Sequence, residues 1–108
     1  MTLNQYAALL ESVPGFAGRV AMNAFPEGQA PDLPYIVYRQ TGASRVTADN
    51  RVYYSAPVVD TELYTEAKSP DAETALESAL SSAELIWIKD EDYLDSERCF
   101  MITYTITL

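Results

Sequence analysis

The clearest pattern in this chain is a strict alternation of apolar and polar or smaller side chains over its last ten residues. One side of that pattern consists of Phe100, Ile102, Tyr104, Ile106 and Leu108. The other side consists of Met101, Thr103, Thr105 and Thr107. A repeat of two residues is typical of a β-strand with one buried face. We therefore predict a strand from Cys99 to Leu108.

Two other segments carry apolar residues at helical spacing. The first begins at Thr2, which with Gln5 forms a capping-box pattern, and Pro14-Gly15 ends it. Its apolar face is Leu3, Tyr6, Ala7, Leu10 and Val13. The second begins at Ser69 with Pro70 in the first helical position, where a missing N–H costs nothing. Its narrow apolar face is Ala72, Leu76, Ala79, Leu80 and Ala83.

Between and beside the helices, runs rich in β-branched and aromatic residues predict further strands. They cover residues 19–25, 35–41, 51–54, 58–65 and about 85–89. Pro57 indicates a break, a bulge or an edge position between two of these runs. Residues 42–50 are small and polar, which predicts either the tip of a long hairpin or a flexible loop that orders on binding.

Joining the two short runs on either side of Pro57 into one strand gives the element order α-β-β-β-α-β-β. Only one helix crosses between strands, and most links are of hairpin length. We therefore predict an α+β fold with a mostly antiparallel sheet and both helices on one face. A chain of 108 residues is enough for one domain and one modest core, so residues 1–108 form a single domain.

Charge is distributed unevenly along the chain. The formal net charge is −9, and all of this excess lies in residues 58–108, where twelve acids face three basic residues. Such a surface repels phosphate, which argues against adhesive binding of nucleic acid. The acidic surface serves solubility, or it contacts a basic partner, or it faces a polyanion without binding it.

The residues that most enzymes need are scarce. The chain has no histidine and one cysteine, which rules out an internal disulfide and the usual zinc-ligand sets. Cys99 opens an alternating strand without a histidine partner, so we expect a buried side chain rather than a nucleophile. No phosphate-binding glycine motif occurs. We predict no enzymatic activity and no cofactor, and no apolar run is long enough for a membrane span.

Two charged clusters remain as candidate sites. The acidic run Asp90-Glu91-Asp92, followed by Asp95 and Glu97, offers oxygen ligands for Mg²⁺ or Ca²⁺. It lacks the spacing and the glycine of a calcium loop, which favours a solvated turn between two strands. Arg45 and Arg51 bracket the polar segment 42–50. Set against the acidic second half, they indicate a head-to-tail contact between subunits, which can close into a ring.

Short motifs over residues 33–108 resemble the tail-completion, or tail-terminator, proteins of long-tailed (siphovirus-type) phages. They are Leu33-Pro34-Tyr35-Ile36-Val37-Tyr38, Ala48-Asp49-Asn50 with Val52-Tyr53, Thr61-Glu62-Leu63-Tyr64-Thr65, and Tyr93-Leu94-Asp95-Ser96-Glu97 before a closing strand that contains Tyr104. The N-terminal helix agrees with that family in kind only.

The resemblance implies a structural virion protein that is made in the host cytoplasm and resides at the tail–head junction. Family members form a ring, expected to be a hexamer, that caps the tail tube and joins it to the head connector. DNA passes through the ring without specific binding. On this basis Arg45 and Arg51 are assigned to contacts between subunits, and Asp90, Glu91 and Asp92 to an acidic lumen or a partner surface.

Other functions remain compatible with the same residues. Another component of the head–tail neck would share most of these features. An acidic protein of this size can also mimic DNA and inhibit a nucleic-acid-binding protein, through contacts that weaken steeply with salt. A small α+β enzyme or ligand-binding module with a carboxylate site is the third alternative, and divalent-cation binding at residues 90–97 would favour it.

Overall fold

A computed structural model describes residues 1–48 and 51–108, with side chains described for 1–45 and 55–108. It contains two helices and five strands in the predicted order. These are α1 (Leu3–Glu11), β1 (Val20–Met22), β2 (Tyr35–Ala48), β3 (Arg51–Thr65), α2 (Pro70–Ser82), β4 (Trp87–Leu94) and β5 (Cys99–Thr107). The predicted α+β fold is confirmed.

The strands form a single sheet in the order β1-β2-β3-β5-β4. Three of the four pairings are antiparallel, while β1 runs parallel to β2. The segment between β1 and β2 spans residues 23–34, about the dozen residues that a parallel crossover needs. The strand predicted over 19–25 is shorter than expected, because Asn23 leaves it with φ of 67°, in the left-handed region.

Both helices begin with the predicted caps. The Thr2 hydroxyl accepts a hydrogen bond from the Gln5 N–H at 3.1 Å, and the Gln5 side chain accepts one from the Thr2 N–H at 2.9 Å. The Ser69 hydroxyl accepts a hydrogen bond from the Ala72 N–H at 3.3 Å, with Pro70 at the first helical position. These bonds satisfy N–H groups that have no partner inside the helix.

The end of α2 sets the position of β4. The Glu84 N–H donates to the Ser81 carbonyl at 2.9 Å, and the Leu85 N–H donates to the Leu80 carbonyl at 3.0 Å. Glu84 has φ of 60°, a position that usually favours glycine. This pair of bonds is a Schellman motif, in which the chain changes direction after α2, and β4 begins two residues after Leu85 at the sheet edge.

The two helices cover the same face of the sheet, as predicted. Tyr6 and Leu10 of α1 and Leu76 and Leu80 of α2 are fully buried. They pack on inward-facing strand residues, which are Ile36, Tyr38, Val59, Leu63, Ile102, Tyr104 and Ile106. At the centre of this core the Tyr6 and Thr61 hydroxyls are hydrogen-bonded at 2.6 Å.

Residues 42–50 were predicted as the tip of a long hairpin or as a flexible loop, and the described part agrees with the hairpin, since Gly42–Ala48 are strand. Residues Gly42–Ala48 pair with β3 as far as Val58, and only residues 49 and 50 lie outside the described part. The strand also continues through Pro57, with an irregularity between Gln40 and Gly42 on the facing strand. The Pro57 carbonyl accepts from the Leu108 N–H at 2.9 Å, where β5 ends, so its missing N–H costs the ladder little.

The acidic run 90–92 lies inside β4 and not in a turn. The turn follows at residues 95–98, and Arg98 there has φ of 52°. A strand at the edge of a sheet has a solvated side, so it tolerates charged residues that an interior strand would not. The predicted strand 85–89 therefore begins two residues later and ends five residues later than expected.

Residues Gly42–Ala48 and Arg51–Pro57 form a two-stranded ribbon that we call the arm. The ladder between β1 and β2 stops at Tyr38, and the ladder between β3 and β5 stops at Val58. The arm thus extends beyond the sheet, and the molecule measures 50 × 28 × 23 Å. Its radius of gyration of 14.8 Å exceeds the roughly 13 Å of a compact chain of this length.

Candidate interaction surfaces

The face of the sheet opposite the helices carries no helix, and we call it the open face. Alternation along the strands assigns to it Tyr35, Val37, Arg39, Val58, Asp60, Glu62, Tyr64, Ile88, Asp90, Asp92, Leu94, Met101, Thr103 and Thr105. It combines acids, threonines and aromatic rings. The Thr105 hydroxyl donates to the Asp60 carboxylate at 2.8 Å across two neighbouring strands.

The alternation of β4 separates the three acids that the sequence placed together. Asp90 and Asp92 lie opposite Thr103 and Met101 on the open face, and both are exposed. Glu91 lies on the helix side, where its carboxylate pairs with the Lys68 ammonium. Of the three acids in the run, Asp90 and Asp92 therefore present their charge on the open face.

Glu91 belongs to a network of charged side chains on the helix-covered side. Lys68 contacts Glu73 at 2.8 Å, and Lys89 contacts Glu73 at 2.7 Å and Glu77 at 2.8 Å. The Tyr104 hydroxyl donates to Glu77 at 2.7 Å. The Lys89 ammonium also lies 5.7 Å from the centre of the Tyr104 ring, within the range of a cation–π contact.

The pKa values in this network follow from those contacts. Burial by itself raises the pKa of the Glu73 carboxyl, but hydrogen bonds from Lys68 and Lys89 outweigh it and hold the pKa below its ordinary value. The pKa of Glu77 is lowered in the same way, through Lys89 and Tyr104. The pKa of Tyr104 is raised, first by burial and then by the neighbouring Glu77 carboxylate. Glu73 and Glu77 are therefore ionised at neutral pH and paired with lysines.

The sequence alone does not predict this network, although it does contain the helical spacing of the two glutamates. Glu73 and Glu77 are four residues apart on α2, so they lie on one helix face. Lys89 and Tyr104 face them only because β4 and β5 pair with Lys89 opposite Tyr104. That register depends on the turn between the two strands, which the charge pattern does not specify.

The two arginines proposed for subunit contacts lie on the arm. Arg45 is exposed in β2, with Ser55 as its partner on β3. Arg51 begins β3, but its side chain lies outside the described residues. The structure therefore brings Arg45 near no acid of the described part, where no ion pair involves it.

A groove lies on the open face between β2, β3 and the segment that follows β1. It has a volume of about 410 Å³, and its aromatic wall is formed by Phe25, Tyr35 and Tyr64, with ring centres 5.2 Å apart in each successive pair. Burial, reinforced by Glu62, raises the pKa of Tyr64 to about 12.

Cys99 lines the same groove but is a buried thiol. Burial raises the pKa of that thiol, and the Glu97 carboxylate adds to the effect. A thiol of raised pKa is a poor nucleophile. Within residues 1–48 and 51–108 no three acidic or cysteine side chains are grouped so that they could hold a metal ion. No helix in the same ranges has the length and apolarity to cross a membrane.

Strand β4 forms one edge of the sheet, and its edge is unusually apolar at the beginning. Ile86, just before the strand, is 85% exposed, and Ile88 is 69% exposed. Six consecutive residues, from Ile88 to Tyr93, are exposed. Exposed edges that carry large apolar residues are places where another chain can add.

Comparison with known proteins gives a fold relationship. No protein-family model matches the chain, and no curated protein sequence matches it. Among solved structures, a chain from the virion of a native gene transfer agent particle is similar, with a TM-score of 0.56 and 14% sequence identity. The match covers 94% of this chain and 80% of that one. At this identity the similarity establishes a shared fold.

Proposed function

We propose that this protein is a structural assembly protein of a phage-type virion, without enzymatic activity. The observation that carries the proposal is the fold shared with a chain of a gene transfer agent virion over 94% of the present sequence. The sequence motifs that resemble tail-completion proteins support the same function independently.

More specifically, we propose a ring, expected to be a hexamer, that caps the tail tube and joins the tail to the head connector. The protruding arm agrees with a ring, because an arm that contacts a different surface of its neighbour makes a head-to-tail contact. Contacts between two different surfaces close into rings when the rotation permits. Arg45 and Arg51 are proposed for these contacts.

Asp90 and Asp92 are proposed to form an acidic surface toward the lumen or toward a partner. They are exposed on the open face, where Asp60 of β3 is half-buried. Glu91 suits this role less well, since it pairs with Lys68. An acidic surface repels DNA phosphates, which allows DNA to pass through a ring without adhesion.

The decisive experiment is electron microscopy of a lysate from the parent phage with this gene disrupted. The proposal predicts filled heads beside unattached tails of excessive length, restored to joined particles when the gene is supplied in trans. Unattached tails of normal length would favour another component of the neck. Intact infectious particles would contradict the assembly function and favour an acidic inhibitor of a nucleic-acid-binding protein.

A second experiment tests the proposed arginines. Reversing the charge at Arg45 and Arg51 to glutamate should prevent ring assembly while thermal unfolding stays close to that of the wild type. Arg39→Glu, the same type of substitution on the body of the sheet, is the control for each single arginine variant and should assemble. Unchanged assembly of the double variant would reject the role of these arginines.

A further inference from the structure

The outer side of β4 is a strand edge without a strand partner in the described part of the chain. The N–H and C=O groups on that side are therefore free to pair with another strand. Ile86 and Ile88, both more than two-thirds exposed, lie at its beginning. An eight-residue edge of this kind matches the length of strand that a partner commonly adds.

The charges of β4 select among possible partners. Four charged residues follow Ile88, and three of them are the acids 90–92. Pairing of β4 with β4 of a second copy about a twofold axis would bring these acids against one another, and like charges opposite each other destabilise a sheet. A strand with a basic residue near its centre and few acids is the complementary partner.

The arm of the same chain meets that description. Its β2 part, Gly42–Ala48, has seven residues and carries Arg45 near its middle, with no acid. Among the strands that the structure describes, none pairs with the outer side of this segment, because β1 pairs only as far as Tyr38. An isolated two-stranded ribbon is marginally stable in water, so the arm gains from a surface to pair with.

The arm and the β4 edge cannot meet within one molecule. The strand order β1-β2-β3-β5-β4 puts them on opposite sides of the sheet. Two complementary edges on opposite sides of one subunit generate a head-to-tail contact, which repeats from copy to copy.

We propose that the outer edge of Gly42–Ala48 of one copy adds to β4 of the next copy by strand pairing. Arg45 then lies beside the acidic run 90–92 of the neighbour, and the arm covers Ile86 and Ile88. The inference rests on the ring proposed above and names the surfaces that build it. One continuous hydrogen-bonded sheet then crosses each subunit boundary.

The first test is sedimentation velocity of the purified chain from about 10 μM to 1 mM, a range in which contacts of micromolar to millimolar affinity are visible. The wild type should associate with rising concentration. Ile86→Ser combined with Ile88→Ser should weaken association about tenfold or more. Met22→Ser is the matched control, because Met22 is 52% exposed on the opposite edge strand, and it should associate as the wild type does.

The second test is a charge exchange between copies. Arg45→Glu alone, and Asp90→Lys with Asp92→Lys, should each weaken association of the purified variant. An equimolar mixture of the two variants should recover association, because the reversed charges then face each other across the boundary. A mixture no better than either variant alone would overturn the proposed pairing, as would a wild type that remains monomeric at 1 mM.

The two proposals fail in different ways. Intact particles in the gene-disrupted phage, together with association that depends on Ile86 and Ile88, would reject the assembly function and keep the strand contact. The opposite result would be a gene-disrupted phage without joined particles, together with an association that neither the isoleucine substitutions nor the charge exchange affects. That result would support the assembly function and reject the strand contact.

Discussion

The two faces of this sheet are built from the same strands and have opposite surroundings. On the helix-covered face, Leu63, Ile102 and Tyr104 are fully buried. On the open face, Asp60, Thr103 and Thr105 alternate with them along the chain and keep part of their surface in water. A repeat of two residues therefore lets one strand stabilise the fold with one face and leave the other free for contacts.

The acids of the molecule divide along the same line. Glu73 and Glu77 are held by lysines on the helix-covered side, and Glu91 joins them through Lys68. Asp90 and Asp92 project from the other face of the same strand. Carboxylates that are adjacent in the sequence thus belong to a stabilising network on one face and to a solvated surface on the other.

The largest effect expected from this comparison is on the buried face. Leu63→Ala removes a fully buried side chain between the helices and the sheet, so it should lower the free energy of unfolding by about 2–5 kcal/mol. Urea denaturation followed by circular dichroism measures the change. Thr103→Val, on the open face of the neighbouring strand, is the control and should cost far less; equal losses would contradict the distinction between the faces.

A smaller effect is expected at the buried hydroxyl pair. Tyr6→Phe leaves the Thr61 hydroxyl without its partner at 2.6 Å, and an unsatisfied buried polar group costs about 1–3 kcal/mol. Adding Thr61→Val to Tyr6→Phe removes both partners. The double variant should then lose less than the sum of the two single variants, and an additive loss in denaturation experiments would show that the hydrogen bond contributes nothing.

The ion network should make stability depend on acid pH. The pKa of Glu73 is lowered in the folded chain, so its stabilising effect is present above the unfolded pKa of about 4.3 and disappears as the pH falls through the folded value. Glu73→Gln should reduce stability at pH 7 on the order of 1 kcal/mol and by less at pH 3. A loss that is equal at both pH values would contradict the ionic origin of the effect.

The smallest effect is expected on the open face. Asp90→Asn with Asp92→Asn changes two exposed carboxylates, and surface substitutions of this kind usually alter stability by less than about 0.5 kcal/mol. Differential scanning calorimetry should therefore give nearly the wild-type unfolding temperature. Assembly, measured in parallel, should change, since these aspartates are proposed to serve contact between molecules and not folding.

Much of the fold follows from local sequence. Thr2 with Gln5 and Ser69 with Pro70 specify both helix starts, because caps need only neighbours within one turn. The alternation from Phe100 to Ile106 specifies the last strand in the same way. The sequence does not specify the parallel placement of β1, nor does it decide between the long hairpin and the flexible loop for residues 42–50, since both depend on pairing between distant segments. Residues 42–48 are small and polar, and backbone pairing with β3 holds them extended without a core.

The charge of the candidate residues identifies them in the sequence, but it does not show toward which face of the sheet each side chain projects. Which of Asp90, Glu91 and Asp92 faces the helices is decided by the register of β4 against β5, which in turn depends on the turn at residues 95–98. The exposure of Ile86 and Ile88 could not be predicted for a related reason. Two isoleucines that flank Trp87 are typical of a buried strand, and only the strand order places them at the edge of the sheet.

The burial of Cys99 has a practical consequence for studying this molecule. The chain has one thiol, which is buried and has a raised pKa. Maleimide reagents should therefore react with it poorly at neutral pH. A single cysteine introduced on the arm or on β4 then becomes the sole attachment point for a fluorophore, a gold cluster or a photo-crosslinker. Such a label reports on the arm or on β4 without altering the native thiol.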